Sequence, residues 1–239
     1  MMKMNGNYWG GWCVSQLGRA HVRNDGRNQD SYLVKTFEWG ILGVVCDGLG
    51  SKKYSHIGSK ALVLAVAEAS DKFDFEITNT EQFEILVKSL WKKNIYPCSC
   101  DDCETTLLFA IIKHNTIYTG RVGDGMICIL GENNIIIEEN KNSFTNYTTP
   151  FGRDETIQWQ IFNVKNVESL VLCSDGISED IQKEKSFDFC EKYVLKYKNQ
   201  KKRKREKEIK EWLKKWPVKG HSDDKTIVAL VKMDQHEEN

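Results

Sequence analysis

Two stretches far apart in the chain share one design. Val44-Val45-Cys46-Asp47-Gly48-Leu49-Gly50-Ser51 ends the apolar run Ile41 to Cys46 with a carboxylate and two glycines. Leu170-Val171-Leu172-Cys173-Ser174-Asp175-Gly176 repeats the arrangement downstream. Runs this short, rich in Val, Ile and Leu, read as buried strands. Asp47 then sits at a strand end, where side chains project into clefts, and Gly48 and Gly50 let backbone approach a ligand closely. A third acidic pair, Asp223-Asp224, precedes the strand-like run Thr226 to Val231. Carboxylates at three strand ends suggest acidic side chains converging on hard cations.

Lysine plus arginine equals aspartate plus glutamate, 34 against 34, so no bulk charge favours nucleic acid or a membrane surface. The first residues lack the apolar core of a signal peptide, and no run approaches the ~20 apolar residues of a membrane span. A cytoplasmic protein is the simplest reading, and the eight cysteines are then reduced thiols. Cys46, Cys128 and Cys173 lie inside apolar runs, where a thiol packs as a small hydrophobe. The chain of 239 residues suits one domain, 1–239, since neither a repeat nor a linker divides it.

The spacing predicts strands over Trp9–Leu17, Tyr32–Phe37, Ile41–Cys46, Thr105–Ile112, Thr116–Val122, Ile127–Leu130, Ile135–Ile137, Thr156–Phe162 and Ser169–Ser174, with a last one ending near Lys232. Helices are expected from about Ser55 to Ser70 and from Thr78, which with Glu81 has capping-box spacing. Ser186–Trp216 reads as helical in two halves, because Lys198–Glu208 contains no apolar residue, and Pro217 ends it. Asn140–Arg153 reads as a long polar loop. Hairpin-linked strands with two helical blocks argue against a doubly wound sheet and for an α+β fold of layered antiparallel sheets flanked by helices.

Six motifs occur in order: His21 with Asn28-Gln29-Asp30-Ser31; Val45 to Ser51; Thr105-Thr106-Leu107; Gly123-Asp124-Gly125; Cys173-Ser174-Asp175-Gly176-Ile177; and Ser222-Asp223-Asp224-Lys225-Thr226. Together, over nearly the whole chain, they resemble the metal-dependent protein phosphatases (PPM family, type 2C Ser/Thr phosphatases), especially the compact bacterial branch. The resemblance implies a four-layer α/β/β/α sandwich of two antiparallel sheets flanked by helices. It implies Mg²⁺ or Mn²⁺ as cofactor, two ions with a weaker third in some members. It also implies a phosphorylated protein as substrate and a cognate Ser/Thr kinase. Carried over by position, Asp47 resembles the carboxylate bridging both ions, with the Gly48 carbonyl beside it. Asp175 and Asp223 resemble the remaining carboxylate ligands of one ion, and Asp30 the acid near the second. Asp124, with Glu179, stands where the third ion binds. Asp224 occupies a position where many relatives have Asn.

The chemistry suits phosphate monoesters, whose slow hydrolysis demands charge neutralisation and a ready nucleophile. Two ions clamp phosphoryl oxygens and lower the pKa of a water, and Mg²⁺ accepts few protein ligands. The chain departs from many relatives at Gln29 (for Glu), Asp25 (for a phosphate-holding Arg, which Arg23 or Arg27 could replace) and Leu49 (for a His). His21 is a candidate for the acid or phosphate-contact role, beside the plainer reading of a loop histidine. These departures also fit a second reading, a catalytically weak sensor or phosphoprotein-binding module on the same fold. A third is a phosphatase of small molecules or lipids. Cys98-Ser99-Cys100-Asp101-Asp102-Cys103 lacks the fourth ligand of a zinc site and reads as a reduced loop. Lys201–Arg205, followed by Glu206, Glu208 and Glu211 at helical spacing, reads as a solvated helix face, with nucleic-acid binding or steering of an acidic phosphoprotein as its other uses.

Overall fold

The structure, a computed structural model, describes residues 7–19, 26–73, 80–139, 149–153, 156–218 and 222–234. Its strands are β1 (Asn7–Gln16), β2 (Asp30–Phe37), β3 (Gly40–Asp47), β4 (Leu107–Lys113), β5 (Thr116–Val122), β6 (Met126–Gly131), β7 (Ile135–Glu138), β8 (Gln158–Asn163), β9 (Val167–Cys173) and β10 (Lys225–Asp234). Its α-helices are α1 (Ser55–Lys72), α2 (Thr80–Ile95), α3 (Asp175–Ser178), α4 (Ser186–Tyr197) and α5 (Lys202–Lys214). One sheet has the order β1-β10-β9-β6-β7, the other β2-β3-β4-β5-β8, and every neighbouring pair is antiparallel.

The inner strands lose the in–out alternation of a half-wet sheet because both their faces are covered. β3 and β4 are buried from end to end apart from their termini, whereas the edge strand β8 is not. Between the sheets, Ile41, Val45, Leu108 and Ile112 meet Ile127, Leu170, Leu172, Val228 and Leu230. Each such side chain contributes roughly 1.5–3 kcal/mol by leaving water. On one outer face α1 and α2 pack Leu62, Val66, Phe83, Val87 and Trp91 against Leu42, Val44, Phe109 and Ile111. On the other, α4 and α5 bring Cys190, Tyr193, Val194, Ile209 and Leu213 onto Trp12, Val171 and Ala229. The result is helix, sheet, sheet, helix.

The differences from the sequence reading are local. α2 starts at Thr80, and Thr78 lies outside the described residues. Phe151, expected in a polar loop, is 1% exposed, bridges Thr105 and meets the Trp91 ring edge-on at 5.3 Å. Arg205, expected on a solvated face, folds inward. Its guanidinium lies 4.3 Å from the Trp12 ring centre, and Nη1 donates to the carbonyls of Tyr197, which ends α4, and Gln200, just beyond it. Among the described residues no helix is long and apolar enough to cross a membrane.

Candidate metal centre

The site grows from two antiparallel pairs that end at the same place. β2 and β3 pair with Asp30 opposite Asp47, so the start of one strand and the end of the other share a rung. β9 and β10 pair with Cys173 opposite Ile227, which sets Ser174 and Asp175 against the residues just before it. Ser174 N donates to Thr226 O, and Thr226 N to Ser174 Oγ. The two sheets are then joined through one carboxylate. Asp30 Oδ2 accepts from Ser174 Oγ at 3.0 Å and from Thr226 Oγ1 at 2.5 Å.

Asp47 is anchored through its backbone. Its N–H donates to Thr106 Oγ1, and its carbonyl accepts from Thr106 N and Thr105 Oγ1. Asp175 opens α3, where its charge and that of Asp47 act on each other. Gly176 lets the start of α3 pass close to the Asp223-Asp224 turn, since a Cβ there would lie 1.9 Å from the Asp224 carbonyl oxygen. Asp124 sits between Gly123 and Gly125, both at positive φ (83° and 89°), in the turn from β5 to β6. Its charge and that of Glu179 reach Asp175.

Four acids in one pocket repel. Burial, then the charges of Asp224 and Asp175, push Asp30 up to about 7 against the hydrogen bonds from Thr226 and Ser174. Burial likewise pushes Asp175 up to about 6, with Asp124, Asp223 and Glu179 adding to it. Asp47 is raised well above the usual carboxylate range, by burial first and then by Asp30, Asp175 and Asp223. Lys225 Nζ donates to the Asp223 carbonyl, and a single lysine cannot balance this many acids. The Oδ1 atoms of Asp30 and Asp175 are buried without a hydrogen-bond partner.

This is the chemistry of a hard-cation site: oxygen donors only, an excess of negative charge, and lone pairs left unused. Among the described residues no three His, Cys, Asp or Glu side chains stand together as a group that could hold a metal ion. Mg²⁺ and Mn²⁺ need less, because waters complete their shell.

The two members of the Asp223-Asp224 pair differ in what they touch. Asp224, 1% exposed, accepts from Gly18 N through Oδ1 and from Gln29 N through Oδ2, both at 2.7 Å. Its carboxylate holds two loops, which leaves the half-buried Asp223 for a ligand. Nothing in the sequence marks that role, because Gly18 and Gln29 lie about two hundred residues away along the chain. Gln29 contributes backbone: its carbonyl accepts from Gly48 N and Ser59 Oγ. Leu49 N donates to the Glu104 carbonyl. Arg27 Nη1 lies 3.1 Å from His56 Nε2 on α1, while His21, Arg23 and Asp25 fall outside the described residues. The Cys103 thiol is pushed up to about 12, mainly by burial.

The sequence model of protein phosphatase 2C matches residues 17–215. The chain belongs to the protein phosphatase 2C family. It is accordingly a protein phosphatase, a hydrolase. A Mycoplasma genitalium protein named "Putative protein phosphatase" is 24% identical over 198 residues, 67% of this chain and 76% of that one. Among solved structures, the serine/threonine phosphatase Stp1 of Staphylococcus aureus matches with a TM-score of 0.67 and 14% identity, over 92% of this chain and 94% of that one. The catalytic domain of the serine/threonine phosphatase PstP, solved with two manganese ions, matches with a TM-score of 0.64 and 17% identity, over 95% and 100%. The phosphatase fold of these neighbours is the double antiparallel sheet described above.

Proposed function

We propose that the chain hydrolyses phosphoserine and phosphothreonine on proteins, in the cytoplasm, at a centre of two Mg²⁺ or Mn²⁺ ions with a weaker third nearby. The observation that carries this is the meeting of Asp30 and Asp47 on one rung of β2 and β3, with the Asp30 carboxylate joined to Ser174 and Thr226 beside Asp175 and Asp223. Asp47, the Gly48 carbonyl, Asp175 and Asp223 would hold the ions together with Asp30, and Asp124 would hold the third. Such ions supply charge neutralisation for phosphoryl oxygens and acidify a water. The chain's own part is to hold these oxygens in place. Ser174 and Thr226 fix Asp30 by its Oδ2, so that Oδ1 is left to orient a water or receive its proton. Asp47 is fixed by three hydrogen bonds to Thr105 and Thr106. His21 is assigned the acid or phosphate-contact role on the family pattern alone. The substrate is a phosphoprotein, made by a cognate Ser/Thr kinase.

Turnover of p-nitrophenyl phosphate and of a phosphothreonine peptide should require Mn²⁺ or Mg²⁺ and vanish with excess chelator. Asp47→Asn should lower kcat/KM at least about a hundredfold. Turnover that persists under chelation, or an Asp47→Asn variant as fast as wild type, would end this reading.

A further inference from the structure

Residues 186–215 carry twelve lysines and arginines against five acids, a net charge of +7 in a chain whose total is zero. That excess lies on α4, α5 and their connection, and a groove of about 570 Å³ opens on the same helices. Its apolar floor is Phe189, Trp212 and Trp216, with ring centres 5.0 to 6.3 Å apart. Exposed Lys185, Lys192 and Lys196 line its rim. The two carboxylates in the lining are already engaged: Asp188 takes Lys192 at 2.8 Å, and Asp180 accepts from Trp216 Nε1 at 2.6 Å.

We propose that this groove docks an acidic segment of the phosphoprotein substrate, an apolar side chain flanked by Asp or Glu. The proposal rests on the phosphatase reading and extends it to substrate choice. Charge complementarity selects an acidic occupant. The half-buried aromatic floor asks for an apolar anchor between the charges, as when an amphipathic helix lies in a groove. The arrangement does not suit nucleic acid. The rings lock together at angles instead of offering successive open faces, and Arg205, one of the two arginines of the basic run, is turned onto Trp12 and the Tyr197 and Gln200 carbonyls. Asp180, in the groove's lining, lies two residues beyond α3, whose first residue is Asp175.

The test uses the full chain with Mn²⁺, p-nitrophenyl phosphate, and two phosphothreonine peptides that differ in one extension, acidic-apolar or neutral. At low salt the acidic peptide should show a KM roughly tenfold lower at unchanged kcat. Lys192→Glu with Lys196→Glu should erase that advantage and leave p-nitrophenyl phosphate turnover at the wild-type rate. Equal KM values for the two peptides overturn the proposal, as does a double variant that keeps the advantage. It is also overturned if an oligonucleotide or anionic vesicles, and not the acidic peptide, quench the tryptophan fluorescence. A wild-type chain without p-nitrophenyl phosphate turnover would strike the phosphatase reading instead. Anisotropy of a labelled acidic peptide then reads docking by itself: binding lost in the double variant supports it, and no binding to wild type defeats it.

Discussion

Asp223 and Asp224 are adjacent and chemically identical, yet their replacement should have opposite consequences. Asp224→Ala removes the acceptor of two buried backbone N–H groups and should cost about 3 kcal/mol, read from the urea midpoint. Asp223→Ala removes only the acceptor of the neighbouring Asp224 N–H, at 2.8 Å, and should cost about 1 kcal/mol, while phosphatase turnover collapses. Glu104 offers a contrast governed by pH. It is 1% exposed, receives Arg153 Nε at 2.7 Å and Nη2 at 3.3 Å, and pairs with Lys52 at 3.1 Å. Burial pushes its carboxyl up, but the hydrogen bonds from Arg153 and Lys52 outweigh it and hold the carboxyl below its ordinary 4.5. A lowered folded value means the stabilisation is complete above the unfolded value and is lost as pH falls through the folded one. Glu104→Gln should therefore cost about 2 kcal/mol at neutral pH, and the gap to wild type should close as the solution is taken below pH ~4.

Among the elements, α5 shows how a sequence pattern can mislead. Lys201 to Arg205 reads as uniformly solvated because five cations in a row carry no apolar cue. What turns one of them inward is the Trp12 ring on β1, far away in the chain, and the Tyr197 and Gln200 carbonyls where α4 gives way to its connection with α5. Arg205→Ala should cost about 2 kcal/mol in chemical denaturation, and Arg205→Lys should rescue little, because an ammonium cannot stack and reach both carbonyls. Lys202→Ala and Lys204→Ala, both exposed, should stay within about 0.5 kcal/mol of wild type. By contrast β3 is plainly legible. Its run of Val, Ile and Leu is buried on both faces, so hydrophobicity alone delimits it, and Asp47 marks its end. The gap between α4 and α5 is legible for the complementary reason, a stretch with nothing to bury.

For the whole molecule, the layered architecture follows from strand and helix periodicity, while the cross-links between layers do not, because each joins residues that only the finished fold makes neighbours. The candidate centre draws Asp30 and Asp47 from one sheet, and Asp175 and Asp223 from the segments that leave β9 and enter β10 of the other. An ion bound there ties both sheets together, and it stabilises the native state by mass action. At about a hundred times its Kd, Mn²⁺ should add about 2.7 kcal/mol. The thermal midpoint of wild type should rise with the metal, and that of an Asp47→Asn, Asp175→Asn double variant should not. The facing of Asp30 and Asp47 across a single rung has a further consequence. β2 and β3 are connected by a turn of only Glu38 and Trp39, which acts as a ruler for everything at the far end of the hairpin. Deleting one residue there would shift one strand against the other by a single place and swap inward for outward side chains along its length. A change at the opposite tip of the hairpin, untouched by any substrate, would thereby separate the two acids that the chemistry needs side by side.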